Sequence, residues 1–235
     1  MNRMTREQFI WKVQSFERKL LANMKDIHVP VHLCLGHEGV AADLHEHLKT
    51  EDWLFSNHRN HGHFLAKGGN EDKLWDEIMG LPTGLNGGFS GSQAISDGSI
   101  NFHASAIVGG LVGVATGCAY ALKMNKSSAI AVCVVGDGET EAGVFWESLN
   151  FAALNHLPIA YICENNGKSV DATIGERQAT PLVPRVQSFG IKISSNVVGA
   201  LQMARSGRPS FHEAKVKLNC HHIYMANLPT NEVIG

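Results

Sequence analysis

Apolar side chains recur at every third or fourth position near the start of the chain, a period that predicts helices. Thr5 precedes Gln8 by three residues, and this spacing is that of a capping box, which marks the start of a helix. The apolar residues that follow at helical spacing are Phe9, Val13, Phe16, Leu20 and Met24. The pattern predicts a first helix that ends near 28–30.

A second helix is predicted over about 37–48, after a short turn-like run at 33–36. His45 and His47 lie on this helix, and we expect both to face solvent rather than to bind a ligand. Together the two helices make residues 1–50 an N-terminal helical segment.

Unbroken apolar runs replace this period in the second half of the chain, at 129–135 (AIAVCVV) and 158–163 (PIAYIC). Runs of this kind are typical of strands that are buried on both faces. A helical stretch at 141–154 lies between them, which makes a βαβ unit. Its right-handed crossover makes the strands parallel and brings the turns after them to the same carboxyl edge of the sheet.

A later helix at about 196–206 and a strand at 210–218 continue the alternation of helix and strand. The predicted fold class is therefore α/β, with a mostly parallel sheet covered by helices on both faces. No repeat or linker interrupts the pattern, so we expect a single domain over residues 1–235. Residues 81–103, rich in Gly, Ser and Asn, are predicted to form an active-site loop.

The uncharged stretch 104–122 is long enough to raise the question of a membrane span. A buried helix is favoured, because the run is at the lower length limit and leads directly into strand and turn signals. Gly109, Gly113 and Gly117 repeat at four-residue intervals, and we expect this glycine face to allow close packing of the backbone.

Composition narrows the classes of partner. The formal net charge is −2 and the calculated pI is about 6.7, so no basic surface points to nucleic acid or to a membrane. The five cysteines are odd in number and form no C-x-x-C pair, which suits a reducing compartment. No secretory signal opens the chain, and we predict a cytoplasmic protein.

Candidate chemistry lies where the two buried strands end. Gly136-Asp137-Gly138 closes the first and Asn165-Asn166 closes the second. A carboxylate, an amide oxygen and the backbone carbonyl of Lys168 are ligands of the kind that Mg²⁺ accepts beside phosphate oxygens. The glycines and the following helix start would let the backbone approach a diphosphate. Taken alone, Gly-Asp-Gly is explained equally well as a turn.

At this point the sequence resembles the alpha subunit of the thiamine diphosphate-dependent first component of 2-oxo acid dehydrogenases, of pyruvate, branched-chain or acetoin type. The resemblance covers most of the chain. Its motifs are His32-Leu33-Cys34-x-Gly36-His37-Glu38, Arg59-Asn60-His61-Gly62, Ile107-Val108-Gly109, the block from Gly136 to Asn166, and Cys220-His221-His222.

The resemblance implies a set of site residues. Mg²⁺ would be bound by Asp137, Asn166 and the Lys168 carbonyl. The residues implied to contact thiamine diphosphate are Arg59, His58, Gly136, Gly138, Glu139 and Asn166 around the diphosphate, and the backbone of Ala106 and Val108 at the aminopyrimidine ring. The implied catalytic histidines, whose ordinary pKa suits proton transfer, are His32, His61 and His222.

Three positions depart from the family pattern. His58 stands where a Tyr is usual, and Gly91-Ser92-Gln93-Ala94 stands where Gly-Ser-Met-His is usual. Ile223 follows His222 in place of the usual Ser, so regulation by phosphorylation at that point is not expected.

The resemblance also implies a partner, a beta-type subunit that carries the pyrimidine-binding domain and its glutamate, in an α₂β₂ assembly. The reaction would be decarboxylation of a 2-oxo acid, or cleavage of an acyloin, with transfer of the acyl or ketol unit to lipoamide on a lipoyl carrier or to an aldehyde.

Two alternatives stay open. Glu139, Glu141 and Trp146 also resemble the N-terminal half of transketolase, which acts on sugar phosphates, and a non-catalytic relative would share the fold. A nucleotide-binding dehydrogenase is disfavoured, because no strand is followed by G-x-G-x-x-G with an acidic residue about twenty positions on.

Overall fold

The computed structural model of the protein describes residues 4–224, in which helices and strands alternate. The α-helices of that range are α1 (Arg6–Ala22), α2 (Glu38–His47), α3 (His61–Ala66), α4 (Glu71–Ile78), α5 (Val112–Met124), α6 (Gly143–Leu154), α7 (Ile174–Arg177), α8 (Leu182–Ser188) and α9 (Val197–Arg205). The strands are β1 (Trp53–Ser56), β2 (Ser96–Asp97), β3 (Phe102–Ala104), β4 (Ala131–Gly136), β5 (Ile159–Asn165), β6 (Lys168–Ser169), β7 (Ala172–Thr173), β8 (Lys192–Ile193) and β9 (Ser210–Lys215). Short 3₁₀ helices cover Met24–Asp26, Gly98–Ile100 and Asp137–Glu141.

Seven strands form one sheet in the order β2-β3-β1-β4-β5-β9-β8. Every pairing in it is parallel except that of β2 with β3. The strands β6 and β7 form a separate antiparallel hairpin. The predicted fold class, an α/β fold with a mostly parallel sheet, is confirmed.

Both faces of the sheet are covered, because successive side chains of a strand point to opposite sides. Val132 and Val134 of β4 join the apolar layer that contains buried residues of α1–α4 and α9. Cys133 and Val135 of the same strand join a second layer with residues of α5, α6 and α8. β4 and β5 are therefore buried on both sides, as their unbroken apolar runs predict.

The N-terminal helices form as predicted, with two corrections. Thr5 and Gln8 make the predicted capping box, but α1 ends at Ala22 rather than near 28–30, and the separate 3₁₀ turn follows. The prediction that His45 faces solvent is wrong, since its ring stacks on Phe9 at a centroid distance of 4.2 Å. His47, at the end of α2, is exposed as predicted.

The predicted loop at 81–103 is shorter than expected, because β2 begins at Ser96 and β3 at Phe102. Its first part is wound around the carboxylate of Glu77, a fully buried residue of α4. The backbone N–H groups of Asn86, Gly88 and Ser90 donate to the two Glu77 oxygens at 2.6, 3.0 and 2.6 Å. The buried charge gives the loop a defined path, because each of these bonds satisfies a backbone donor.

The apolar stretch 104–122 contains helix α5, which begins only at Val112. The expectation of a closely packed glycine face is wrong for Gly113 and Gly117, which are exposed, and a Cβ at Gly117 would meet nothing within 4 Å. It holds for Gly109, which is buried before α5 begins and where a Cβ would lie 3.1 Å from that of Ala142. The face that α5 buries carries Val112, Ala115, Thr116 and Ala119. Within residues 4–224, no helix has the length and apolar character that a membrane span requires.

Candidate functional site

The ends of β4 and β5 lie side by side at the carboxyl edge of the sheet. The strands pair in parallel, with Gly136 opposite Glu164, so the residues that follow each strand emerge together. Asp137, Asn166 and Lys168 line one cavity there. The prediction that both polar turns meet at one edge is confirmed.

Asp137 is one of three acidic residues of the described chain that line this cavity, with Glu139 and Glu164, and it is 2% exposed. Burial raises the pKa of its carboxyl group, while hydrogen bonds from Arg177 and from the Asn166 backbone act in the opposite direction. The guanidinium of Arg177, at the end of α7, pairs with both Asp137 and Glu141. The sequence analysis did not single out Arg177, and no local motif marks it.

Asn166 and Lys168 are linked by a local turn in which the Lys168 N–H donates to the Asn166 side-chain oxygen at 2.9 Å. That oxygen has a second lone pair. In the described part of the chain, no group of three or more His, Cys, Asp or Glu residues could hold a metal ion. The predicted ligand set contains only one such side chain, the carboxylate of Asp137. Its other two ligands are neutral oxygens, the Asn166 amide and the Lys168 carbonyl.

Gly138 lies where the chain passes closest to the β6–β7 hairpin. A Cβ added at this position would lie 2.5 Å from the Ser169 hydroxyl oxygen, which is closer than real Cβ contacts allow. The second glycine of Gly136-Asp137-Gly138 therefore leaves room for the Ser169 side chain, which packs directly against the Gly138 backbone.

Glu139 fixes the walls of the cavity with its side chain. Its two oxygens accept from the Gly136 N–H at 2.8 Å and the Gly109 N–H at 3.0 Å. Burial raises its pKa, against the effect of these hydrogen bonds. Glu139 thus connects the end of β4 to the segment that carries Ala106 and Val108. Both of these residues are exposed, and Val108 lines the cavity.

Arg59 lines the cavity and is 4% exposed. One guanidinium nitrogen donates to the Leu33 carbonyl at 2.8 Å. Another donates to the His222 carbonyl at 2.9 Å and lies 3.2 Å from the Nδ1 of its ring. Arg59 therefore holds the C-terminal segment of the described chain against the cavity as well as contributing its charge.

Three of the predicted histidine positions cluster beside Arg59. The ring of His32 lies 4.5 Å from that of His58 and 5.4 Å from that of His222, centroid to centroid. Burial, with His58 and Arg59 nearby, lowers the pKa of His32 to about 2, and burial beside Arg59 lowers the pKa of His58 to about 3. Both rings are neutral at neutral pH. His58 and His222 line the cavity.

His61 is not among the residues that line the cavity. It is fully buried, with Nδ1 at 2.7 Å from a Glu17 oxygen and Nε2 at 2.8 Å from the Ser92 hydroxyl. His32, by contrast, lies beside the cavity through its contact with His58, and its Nδ1 accepts from the Gln93 amide at 2.6 Å.

A second buried network was missed by the sequence analysis. One oxygen of Glu164 lies 3.1 Å from His37 Nδ1 and the other 3.3 Å from His63 Nε2, and His63 Nδ1 lies 2.9 Å from the Ser56 hydroxyl. Burial alone would raise the pKa of Glu164, but the two imidazoles outweigh burial and hold that pKa well below its usual range. His37 and Glu164 both line the cavity.

These residues fit a metal–diphosphate group. The cavity combines a buried carboxylate with neutral oxygen donors, which suits Mg²⁺. The guanidinium and the glycine-lined backbone beside them suit phosphate oxygens. Fold and site together define an α/β protein with a cofactor-type cavity at the carboxyl edge of its sheet.

Comparison with known proteins shows which family the chain belongs to. Residues 9–193 match the family model described as "Dehydrogenase E1 component". The chain belongs to the dehydrogenase E1 family, and the relatives that it matches are alpha subunits.

Similar relatives include alpha subunits from three bacteria. The chain is 34% identical to the alpha subunit of acetoin:2,6-dichlorophenolindophenol oxidoreductase of Bacillus subtilis (strain 168), over 93% of this chain and 72% of that protein. It is 33% identical to the pyruvate dehydrogenase E1 component subunit alpha of Rickettsia bellii (strain RML369-C), over 77% of this chain and 56% of the relative. The acetoin subunit of Cupriavidus necator is also 33% identical, and the chain spans 55% of it.

Proposed function

We propose that this chain is the alpha-type subunit of a two-component enzyme that uses thiamine diphosphate and Mg²⁺ to decarboxylate a 2-oxo acid or to cleave an acyloin. The observation that carries the proposal is the meeting of Asp137 and Asn166 in one cavity, each at the end of its own strand. The acyl or ketol unit would pass to lipoamide on a lipoyl carrier or to an aldehyde. The names of the relatives support both donor types.

Asp137, Asn166 and the carbonyl of Lys168 would hold Mg²⁺, and Arg59 with the backbone at Gly138 would hold the diphosphate. Bound thiamine diphosphate supplies the electron sink for the carbanion formed at the substrate carbonyl. Gly138 would present its backbone to the phosphate, while the Ser169 side chain fills the space where a Gly138 side chain would be. Arg59 contributes a fixed positive charge, and its hydrogen bonds to protein carbonyls orient the guanidinium.

The histidines beside Arg59 would act as neutral groups. His58 has a pKa of about 3 and His32 one of about 2, so neither adds positive charge at neutral pH. Rings with pKa values this low are weak bases, so their proposed role is to donate an N–H to a reacting oxygen rather than to accept a proton. His222, held by Arg59, is the third such group at the cavity.

A beta-type partner is proposed because the family resemblance implies a glutamate on a separate pyrimidine-binding domain, which a second subunit would supply. An exposed apolar surface on α5 and α6 supports a partner: Val114 is 53%, Met124 63% and Leu154 75% exposed. On the same two helices Tyr120 and Phe151, 39% and 42% exposed, lie with their ring centroids 5.6 Å apart, and exposed apolar side chains in contact with one another mark protein interaction sites. We propose an α₂β₂ assembly with its active sites at the subunit interface.

The test is calorimetric titration of thiamine diphosphate into the chain purified with its beta-type partner, with and without Mg²⁺. Binding should require Mg²⁺ and should weaken at least about tenfold in Asp137→Asn, since a charged ligand is lost. Asp26→Asn, an exposed position, is the control and should bind as the wild type does. Binding that is independent of Mg²⁺ would contradict the proposal, and turnover of ketose phosphates in place of 2-oxo acids or acetoin would refute the proposed substrate class.

A further inference from the structure

One polar atom of the cavity wall has no partner among the described residues. His37 stands at the start of α2, lines the cavity and is 3% exposed. Its Nδ1 is engaged by Glu164, but its Nε2 is buried without any hydrogen-bond partner. A buried polar atom without a hydrogen-bond partner lowers the free energy of unfolding. The unpaired Nε2 therefore indicates that a ligand atom binds at this position.

The chemistry around the ring decides which kind of ligand atom fits. The ionised carboxylate of Glu164 only accepts hydrogen bonds, so Nδ1 must carry a proton. When the ring is charged, Nε2 also carries a proton and becomes a donor, and Glu164 balances that charge. Glu164 on β5 contacts the His37 ring directly, and His58 interacts with it electrostatically. His63 contacts the other oxygen of Glu164, and Arg59 lines the same cavity.

The acidic groups that share the cavity are already engaged. Asp137 is paired with Arg177, Glu139 with two backbone N–H groups, and Glu164 with the imidazoles of His37 and His63. An entering anion therefore meets donors rather than free carboxylates. Phosphate oxygens only accept hydrogen bonds, which complements a charged imidazole.

We propose that His37 is a further diphosphate-binding residue, which donates from Nε2 to a phosphate oxygen while Glu164, His63 and Ser56 hold its ring in position. The proposal rests on the proposed function, because the phosphate belongs to the cofactor assigned there. His37 is the contact residue, and Glu164 and His63 are positioning residues. Neither composition nor spacing in the sequence distinguishes His37 from the other histidines of the chain.

Two substitutions separate ligand binding from a structural role. His37→Asn places an amide near the position of Nδ1, so it keeps a bond to Glu164 and removes the Nε2 donor. His37→Gln reaches the position of Nε2 and loses the Nδ1 contact. The same two substitutions at His47, the exposed last residue of α2, are the matched controls.

The experiment titrates inorganic pyrophosphate with Mg²⁺, and then thiamine diphosphate with Mg²⁺, into the complex with the beta-type partner, and thermal unfolding of each variant is recorded alongside. We expect His37→Asn to weaken pyrophosphate binding by about tenfold or more and His37→Gln to recover part of that loss. The His47 variants should bind as the wild type does.

Three results would overturn this inference. The first is full affinity of His37→Asn for pyrophosphate. The second is a larger loss of pyrophosphate affinity in His37→Gln than in His37→Asn. The third is a change in thermal stability without any change in affinity. Each would assign His37 a purely structural role. Failure of the wild type to bind either probe would instead refute the proposed function, so the two failures are distinguishable.

Discussion

The Nε2 of His61 lies 2.8 Å from the hydroxyl oxygen of Ser92, while the Nδ1 of the same ring lies 2.7 Å from Glu17. All three residues are buried, and they belong to three separate parts of the chain: α1, α3 and the loop before β2. His61 therefore joins the N-terminal helix to the loop that carries Gln93 to His32.

Replacing His61 should destabilise the fold before it affects chemistry. His61→Ala leaves an oxygen of the buried Glu17 side chain without its imidazole partner, and a buried polar group left unsatisfied costs about 1–3 kcal/mol. Urea denaturation should show a loss of that order. His28→Ala, at an exposed position, should change stability by less than about 0.5 kcal/mol.

The same variant also tests the catalytic role implied for His61. A rate at saturating substrate that falls in a fully folded, cofactor-loaded complex would support catalysis by His61. A normal rate in the folded fraction would leave His61 a structural role alone.

Glu77→Gln should loosen the loop at 81–95. Two of the three backbone N–H donors share one carboxylate oxygen, and an amide supplies only one acceptor oxygen and turns an N–H toward the remaining donor. We expect a cost of about 1–3 kcal/mol from the unsatisfied groups. Hydrogen exchange should accelerate at Asn86, Gly88 and Ser90, and unchanged protection there would contradict the assignment.

Gly138→Ala should interfere with the site because the new Cβ would lie 2.5 Å from the Ser169 oxygen. Affinity for thiamine diphosphate with Mg²⁺ should fall, and Ser169→Gly in the same chain should restore part of it by removing the clashing side chain. Gly175→Ala is the control, since a Cβ there meets nothing within 4 Å. Wild-type affinity in Gly138→Ala alone would contradict the prediction, because it would show that the Ser169 segment can move away from Gly138 without cost.

His32 should make stability fall as the pH drops. Its pKa is lowered from 6.5 to about 2 in the folded protein, so below pH 6.5 the unfolded chain binds a proton that the folded chain does not. The contribution of neutral His32 to the free energy of unfolding is fully present above pH 6.5. It falls by about 1.4 kcal/mol per pH unit as the pH drops below 6.5 towards the pKa of His32 in the folded protein.

Urea denaturation at several pH values between 6.5 and 5 measures this slope. His32→Gln should reduce it by nearly that amount, since glutamine does not titrate. His47→Gln should leave the slope as it is in the wild type. Equal slopes in the wild type and His32→Gln would show that the ring takes up a proton without unfolding.

The sequence predicted those parts of the molecule that local pattern determines. The apolar runs of β4 and β5 require burial on both faces, and parallel pairing then places Asp137 and Asn166 at one edge. The Glu164–His37–His63 network could not be predicted, because His37 and His63 are separated from Glu164 by 127 and 101 positions. The three side chains meet only in the folded chain, where the start of α2 and part of α3 lie beside the end of β5. His45 was misplaced for the same reason, since its contact with Phe9 depends on the packing of α1 on α2.

Arg177 gives the chain its own counter-charge for Asp137. A carboxylate enclosed to this degree is costly to ionise unless a cation lies beside it, and here the polypeptide supplies that cation from α7. Under the proposed function, Arg177 would let the chain fold before Mg²⁺ binds. Loading the site would then be an exchange of one cation for another at a finished pocket, so metal supply would set activity without setting the amount of folded protein.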